Sequence, residues 1–306
     1  VVAALPPTGV RVRVPAKINL ALKVGPPRED GFHPLATVFH AVSLYDELIA
    51  EPAPAGEFTV EVTGDDAELV PTDDTNLAVR AARRLAEAYA PAEGARLSIK
   101  KTIPVAGGLA GGSANGAAAL VACAELWALD LEQEELLALA AELGSDVPFA
   151  LVGGTAIGSG RGERLVPALA RGCYHWVLAF SDEGLSTPKV YGRYDDLGGL
   201  TAPQPTVSDE LMNALRAGDA AALGAALDND LQPAALTLRP RLRRVIDTGL
   251  DLGALGAVVS GSGPTVAFLA GSESAAIELS VGLSSEGICR TVRRAVGPVH
   301  GARVVT

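Results

Sequence analysis

The sequence has no basic block, no long apolar run and no paired cysteines, and each absence removes a class of function. Asp and Glu number 36 against 25 Lys and Arg, for a formal net charge of −11. A chain without a basic surface cannot neutralise successive phosphates, so nucleic acid is not an expected partner. The short arginine-rich pieces, Arg239 to Arg244 and Arg290 to Arg294, read as solvated faces. No run of about 18 apolar residues occurs, so no membrane span is expected. Residues Val1 to Val10 lack a basic segment followed by an apolar one, which gives no sign of an export signal. Cys123, Cys173 and Cys289 are widely separated, with no Cys-x-x-Cys, so neither a disulfide framework nor a zinc site is expected and a cytoplasmic location fits best.

What remains is a globular composition. The 306 residues are 48% hydrophobic, enough for one large domain or two. Alternation and β-branched content predict strands at Val10 to Val14, Leu20 to Val24 and Phe58 to Thr63. The period changes at Thr75 to Ala90, predicting a helix capped by Asp74 or Thr75. A strand is expected at Ala95 to Lys101, then a nearly uncharged, buried helix at Ser113 to Ala128, then an amphipathic helix at Leu131 to Leu143 ending at Gly144. From about residue 165 the pattern restarts. Strands are expected at Tyr174 to Phe180, Ala257 to Val259, Thr265 to Ala270, Thr291 to Val296 and Ala302 to Val305. Helices are expected near Ser208 to Leu227, Arg241 to Thr248 and Glu273 to Leu283. The Pro-rich stretch 184–207 reads as a long loop suited to binding.

The feature richest in chemistry is the run Pro104, Val105, Ala106, Gly107, Gly108, Leu109, Ala110, Gly111, Gly112, Ser113. A strand, a glycine loop and a helix in that order aim unobstructed N–H groups at an anion. The run contains neither G-x-x-x-x-G-K-[ST] nor G-x-G-x-x-G, so neither a P-loop nor a dinucleotide fold is indicated. By themselves the glycines could equally serve a tight turn and close packing. Asp146 after Gly144 could cap a helix or carry chemistry. Lys17, one of five lysines against twenty arginines, could snorkel at a surface or serve a site. Asn76 could start a helix, and Ser113 could cap one.

Three motifs in order resolve these alternatives: Pro15-Ala16-Lys17-Ile18-Asn19, the glycine run through Ser113-Ala114-Asn115, and Ser260-Gly261-Ser262-Gly263-Pro264. Together they resemble the GHMP kinases and span nearly the whole chain. Four further segments resemble the branch whose acceptor carries a cytidine diphosphate group, in non-mevalonate isoprenoid synthesis. They are Asp30-Gly31-Phe32-His33, Asn76-Leu77-Ala78-Val79-Arg80, Leu143-Gly144-Ser145-Asp146-Val147-Pro148 and Thr187-Pro188-Lys189-Val190-Tyr191. The resemblance implies an α+β protein in two domains. Residues 1–165 would form a ribosomal protein S5 domain 2-like ATP-binding domain and residues 166–306 a ferredoxin-like domain, with the active site between them. It implies ATP as co-substrate and Mg²⁺, although the sequence names no metal ligands and no oligomeric state.

By the same resemblance Asp146 is the base and Lys17 the catalytic cation, as phosphoryl transfer requires. The glycine run from Pro104 to Ala114, with Asn76 and Lys101, would hold ATP. Asn19, Phe32, His33, Thr187 and Tyr191 would hold the acceptor, with Phe32 and Tyr191 as stacking faces. The chain departs from the family where Ala114 and Gly116 stand for Ser and Ala, and where Phe32 stands for Tyr. The alternatives are another member of the family, acting on homoserine or mevalonate, and a catalytically silent ligand-binding protein of the same fold.

Overall fold

The structure, a computed structural model, describes residues 9–305. The export-signal reading falls on the first ten residues, and so lies almost wholly outside them. The first half contains β1 (Val10–Val24), β2 (Leu35–Ala53), β3 (Phe58–Gly64), α1 (Leu77–Tyr89), β4 (Gly94–Lys101), α2 (Gly111–Leu126), α3 (Gln133–Leu143), α4 (Val147–Val152), β5 (Thr155–Gly160) and β6 (Arg164–Pro167). The second contains β7 (Tyr174–Phe180), α5 (Thr187–Asp196), α6 (Asp209–Ala217), α7 (Ala220–Ala225), β8 (Asp228–Asn229), α8 (Gln232–Leu238), α9 (Arg241–Asp251), β9 (Gly256–Val259), β10 (Val266–Ala270), α10 (Glu273–Ser285), β11 (Thr291–Gly297) and β12 (Arg303–Val304).

The two short strands expected at Val10 to Val14 and Leu20 to Val24 are one strand, β1. Its register slips at Pro15/Ala16 and at Asn19/Ala21, so the proline is absorbed by an irregularity and does not end the strand. Alternation along β1 sends Ala16, Ile18 and Leu20 into the core, each fully buried, and leaves Lys17 and Asn19 together on the other face. The 19-residue β2 has no counterpart in the sequence reading, because its first half is buried on both faces and shows no alternation. Residues 35–40 of β2 pair with β5, and residues 47–53 pair with β4. One strand thus carries both ends of the site. β3 runs parallel to β4, with α1 as the crossover.

The second sheet has the order β11-β7-β10-β9, antiparallel throughout, with α9 and α10 in its crossovers. This is the ferredoxin-like order, the last strand beside the first. The halves are not cut cleanly by sequence. β8 pairs with β1 at Ala21 and Leu22, and β12 pairs with β1 at Val12 and Arg13. One core joins Ile18, Leu48 and Leu120 of the first half to Trp176 and Leu269 of the second.

Several expectations need correction. The stretch 184–207 holds helix α5, whose Pro188 sits in the first turn, where a missing N–H costs nothing. The helix expected over Ser208 to Leu227 is two, broken at Gly218 with φ of 73°, after which Asp219 caps α7. Helix α8 has no counterpart in the sequence reading. Helix α1 is capped neither by Asp74 nor by Thr75 but by Asn76, whose side chain accepts from Ala78 N at 2.9 Å. Helix α2 starts at Gly111 with Ala110 at the cap position, so Ser113 is inside the first turn and caps nothing.

Candidate active site

A cavity of about 1080 Å³ opens between the two halves. Its floor is β1 and β2, and the glycine loop, the Gly261–Gly263 turn and α5 form its walls. At one end, residues 102–110 connect β4 to α2, with Ala106, Gly108 and Ala110 all at positive φ. Only glycine fits at 108: a Cβ there would lie 2.1 Å from the Ser260 carbonyl oxygen. The loop is fastened to the second half by Ser260 Oγ, which donates to Gly108 O at 3.0 Å, and by Thr265 N, which donates to Gly107 O at 3.3 Å. Arg290 bonds Asp66 at 2.6 Å, and Asp66 also accepts from Val105 N. That guanidinium holds the Asp66 carboxyl below the usual carboxylate range. Helix α2 points its N-terminus, with Gly111, Gly112 and Ser113, at the cavity.

Beneath the loop lies Asp46, fully buried on β2. It accepts from Thr102 N at 2.7 Å, Ile103 N at 2.8 Å and Asn115 Nδ2 at 2.8 Å, and it forms an ion pair with Lys101. Lys101 Nζ also donates to Asn115 Oδ1 at 3.1 Å. Both Lys101 and Asn115 line the cavity.

In the middle, Lys17 Nζ is 3.7 Å from Asp146 Oδ2. It donates to Asn19 Oδ1 at 2.7 Å. Asn19 Nδ2 then donates to Thr37 Oγ1 at 2.8 Å, and Thr37 donates to Ala21 O at 2.7 Å. This chain of bonds aims the ammonium at Asp146 across the Phe39 ring, whose centroid is 5.6 Å away. Asp146 stands at the N-cap position of α4, yet its side chain makes no capping bond. The carboxylate is left to face the cavity.

At the far end, His33 Nδ1 donates to Gly25 O at 2.7 Å, while its Nε2 is 3.5 Å from Asp195 Oδ2. Tyr191 lies 5.2 Å from the His33 ring, and burial pushes its phenol well above the usual range. Thr187 Oγ1 is 2.9 Å from Ser262 Oγ. Phe32 is 52% exposed and lines the same end.

The cavity therefore gathers Lys17, Asn19, Phe32, His33, Lys101, Asp146, Thr187 and Tyr191 with most of the glycine run. Leu109 and Ala114 are buried behind the loop instead, Leu109 O accepting from Lys17 N. Asn76 is 4% exposed, engaged as a cap and bonded to Pro71 O, and stands outside the lining. Asp46, Thr37, Asp195 and Arg161 escaped the sequence reading; only the spacing of Thr37 and Phe39 on one face of a strand could have hinted at any of them. Among the described residues no group of three or more His, Cys, Asp or Glu could hold a metal, and no helix is long and apolar enough to cross a membrane.

A loop built to receive phosphates, with a cation and a carboxylate that caps no helix paired beside it, is the geometry of a small-molecule kinase, and the comparisons with known proteins agree. Residues 76–154 match the GHMP kinases N terminal domain and residues 211–289 the GHMP kinases C terminal domain. The chain belongs to the GHMP kinases. Within that class it is 56% identical to the 4-diphosphocytidyl-2-C-methyl-D-erythritol kinase of Thermobifida fusca, over 98% of this chain and 99% of that one. It is 54% identical to the protein of that name from Streptomyces coelicolor, over 97% and 99%. A crystal structure of 4-(cytidine 5'-diphospho)-2C-methyl-D-erythritol kinase superposes with a TM-score of 0.76 at 34% identity, over 93% of this chain and 98% of that one. A homoserine kinase from Cytophaga hutchinsonii, at 20% identity and a TM-score of 0.71, shares the fold.

Proposed function

We propose that the chain transfers the γ-phosphoryl group of ATP to the 2-hydroxyl of 4-diphosphocytidyl-2-C-methyl-D-erythritol, giving its 2-phosphate and ADP for non-mevalonate isoprenoid synthesis. The observation that carries this reading is the Lys17–Asp146 pair, held at 3.7 Å between a glycine-loop end and an aromatic end of one cavity. A reaction with little covalent chemistry needs that arrangement: two bound ligands, a base at the acceptor oxygen and a cation beside it.

Asp146 takes the proton of the acceptor hydroxyl as its oxygen bonds to the γ-phosphorus and the bond to the ADP oxygen breaks. Lys17, fixed by Asn19, balances the charge that gathers on the transferring group. The glycine loop and the α2 N-terminus receive the remaining phosphates. Thr187, His33, Phe32 and Tyr191 hold the acceptor, the rings stacking on its base.

Magnesium bound to nucleotide phosphates needs only one or two protein oxygens. The Ser113 hydroxyl, on the cavity wall at the start of α2, fits that need. The ion would supply charge neutralisation at the phosphates. We also read residues 1–165 as the ATP-binding half and 166–306 as its partner half, working in the cytoplasm, where thiols such as exposed Cys173 stay reduced.

The deciding experiment measures ADP release with cytidylylated methylerythritol, mevalonate and homoserine as acceptors. Turnover is expected with the first alone. Faster turnover with either of the others, or none with any, overturns the assignment.

A further inference from the structure

The cavity is lined by three cations, and two of them are already engaged. Lys17 is bonded to Asn19 and paired with Asp146, and Lys101 is paired with buried Asp46. The third is Arg161, on the acceptor side. Among the described residues its guanidinium has no hydrogen bond and no ion pair. The nearby Asp30 carboxylate is occupied by Arg28 at 2.7 Å and by Phe32 N at 3.0 Å.

The position of Arg161 is built. It sits at the tip of the β5–β6 hairpin between Gly160 and Gly162, whose φ values of 74° and 105° only glycine adopts readily. Gly162 N donates to Ser159 O at 3.0 Å, and Arg161 N donates to Glu163 Oε2 at 2.6 Å, which closes the turn. The hairpin rests on Phe39, since a Cβ at Gly158 would come within 2.7 Å of that ring. Phe39 also lies beneath Lys17. The tip is therefore registered against the catalytic pair, and the Arg161 Cζ is held 5.3 Å from the Phe32 ring centroid.

We propose that Arg161 is a specificity-determining residue that binds the diphosphate of the acceptor while walling one face of Phe32. This rests on the reading of the acceptor as a cytidine diphosphate derivative. That acceptor carries its charge on the diphosphate, inside a protein of net charge −11. A guanidinium presents paired donors that match two phosphoryl oxygens, and among the described residues those of Arg161 bond no other group, its charge reaching Asp30 only at longer range.

The test pairs steady-state kinetics of R161Q and R161K with inhibition of the wild-type and variant enzymes by cytidine and by cytidine diphosphate. For R161Q the KM of the acceptor is expected to rise by about tenfold or more, while the KM of ATP stays within about twofold and kcat falls less than about threefold. R161K keeps the charge without the fork and should fall between. The preference for cytidine diphosphate over cytidine, measured as a ratio of inhibition constants, should collapse in R161Q. An unchanged acceptor KM overturns the assignment. A raised KM with the preference intact overturns it too, leaving Arg161 as packing for Phe32. If the wild-type enzyme does not turn over the cytidylylated acceptor at all, the functional reading fails first, and this assignment with it.

Discussion

The two ends of the cavity are made of different material. The glycine-loop end is backbone, stapled by Ser260 and Thr265 from above and by Asp46 from below. The acceptor end is side chains from three separate segments, around His33, around Arg161 and on α5 with Tyr191 and Asp195, and one of its rings is half exposed. Rigid backbone donors suit phosphates, which every substrate of the nucleotide site shares. Side-chain walls suit a group that one acceptor carries and others lack. The difference makes the first end a matter of stability and the second a matter of affinity, and substitutions can test that division.

The largest effect is expected at Asp46. Asp46→Ala removes four donors' acceptor at once and leaves the Lys101 ammonium, 3% exposed, without its partner. Breaking a buried pair from one side costs about 3–5 kcal/mol. Denaturant unfolding should show a loss of that size, and the KM of ATP should rise more than that of the acceptor. Equal stability in the variant would mean that the loop is not fastened from below.

Asp146→Asn sits between the ends and should spare both. Turnover is expected to fall by about 10² or more while ATP binding stays near that of the wild type, as loss of a general base requires. Wild-type turnover would remove Asp146 from the mechanism. A large loss of ATP affinity would move it to the nucleotide end.

His40 probes the seam that supports both ends. It is fully buried on β2 beside Thr155, and desolvation lowers its imidazole to about 3 from an ordinary 6.5. The folded state therefore binds its proton only below about 3, the unfolded state already below about 6.5. Above that range both forms are neutral and His40 contributes no pH dependence. Between about 6.5 and about 3 the unfolded chain holds the extra proton, so stability falls as pH falls, by up to about 1.4 kcal/mol per unit. Below about 3 the loss levels off. Urea midpoints measured from about pH 7 to about pH 4 should drop in the wild type and flatten in His40→Gln, with an unchanged slope in the variant counting against the burial account.

The same division explains what could be read from the chain. Local chemistry was legible: Gly108 is needed where a Cβ would strike Ser260, and Lys17 and Asn19 share a face two residues apart. Position after the Gly144 helix end suggested two roles for Asp146, and only a carboxylate that makes no capping bond in the fold separates them. For Asn76 the capping role is the one visible in the structure. Asp46 was not legible, because an acid at an inward position of a strand looks like any surface acid until its donors arrive from residues 101–103 and 115. Helix α5 was hidden by Pro188, which breaks helices everywhere except in their first turn. Arg161 was hidden by distance, since its meaning depends on Phe32, far earlier in the chain.

The smallest effect, and the sharpest for the comparison, is expected at Tyr191. Its ring packs 5.2 Å from His33 and belongs to the small cluster around Leu22, Val24 and Leu231, not to the main core. Aromatic contacts of this kind contribute about 0.5–1.5 kcal/mol beyond buried area, which corresponds to roughly a 2- to 12-fold change in a binding constant. Tyr191→Ala should therefore raise the KM of the acceptor by about that factor, with the KM of ATP unmoved, because no atom of the glycine-loop end depends on Tyr191. Tyr191→Phe should recover most of the affinity, since burial keeps the phenol neutral and the ring face supplies the contact. An unchanged acceptor KM in Tyr191→Ala would end the stacking assignment. A parallel rise in the KM of ATP would mean that the two ends are one coupled site, whatever material each is built from.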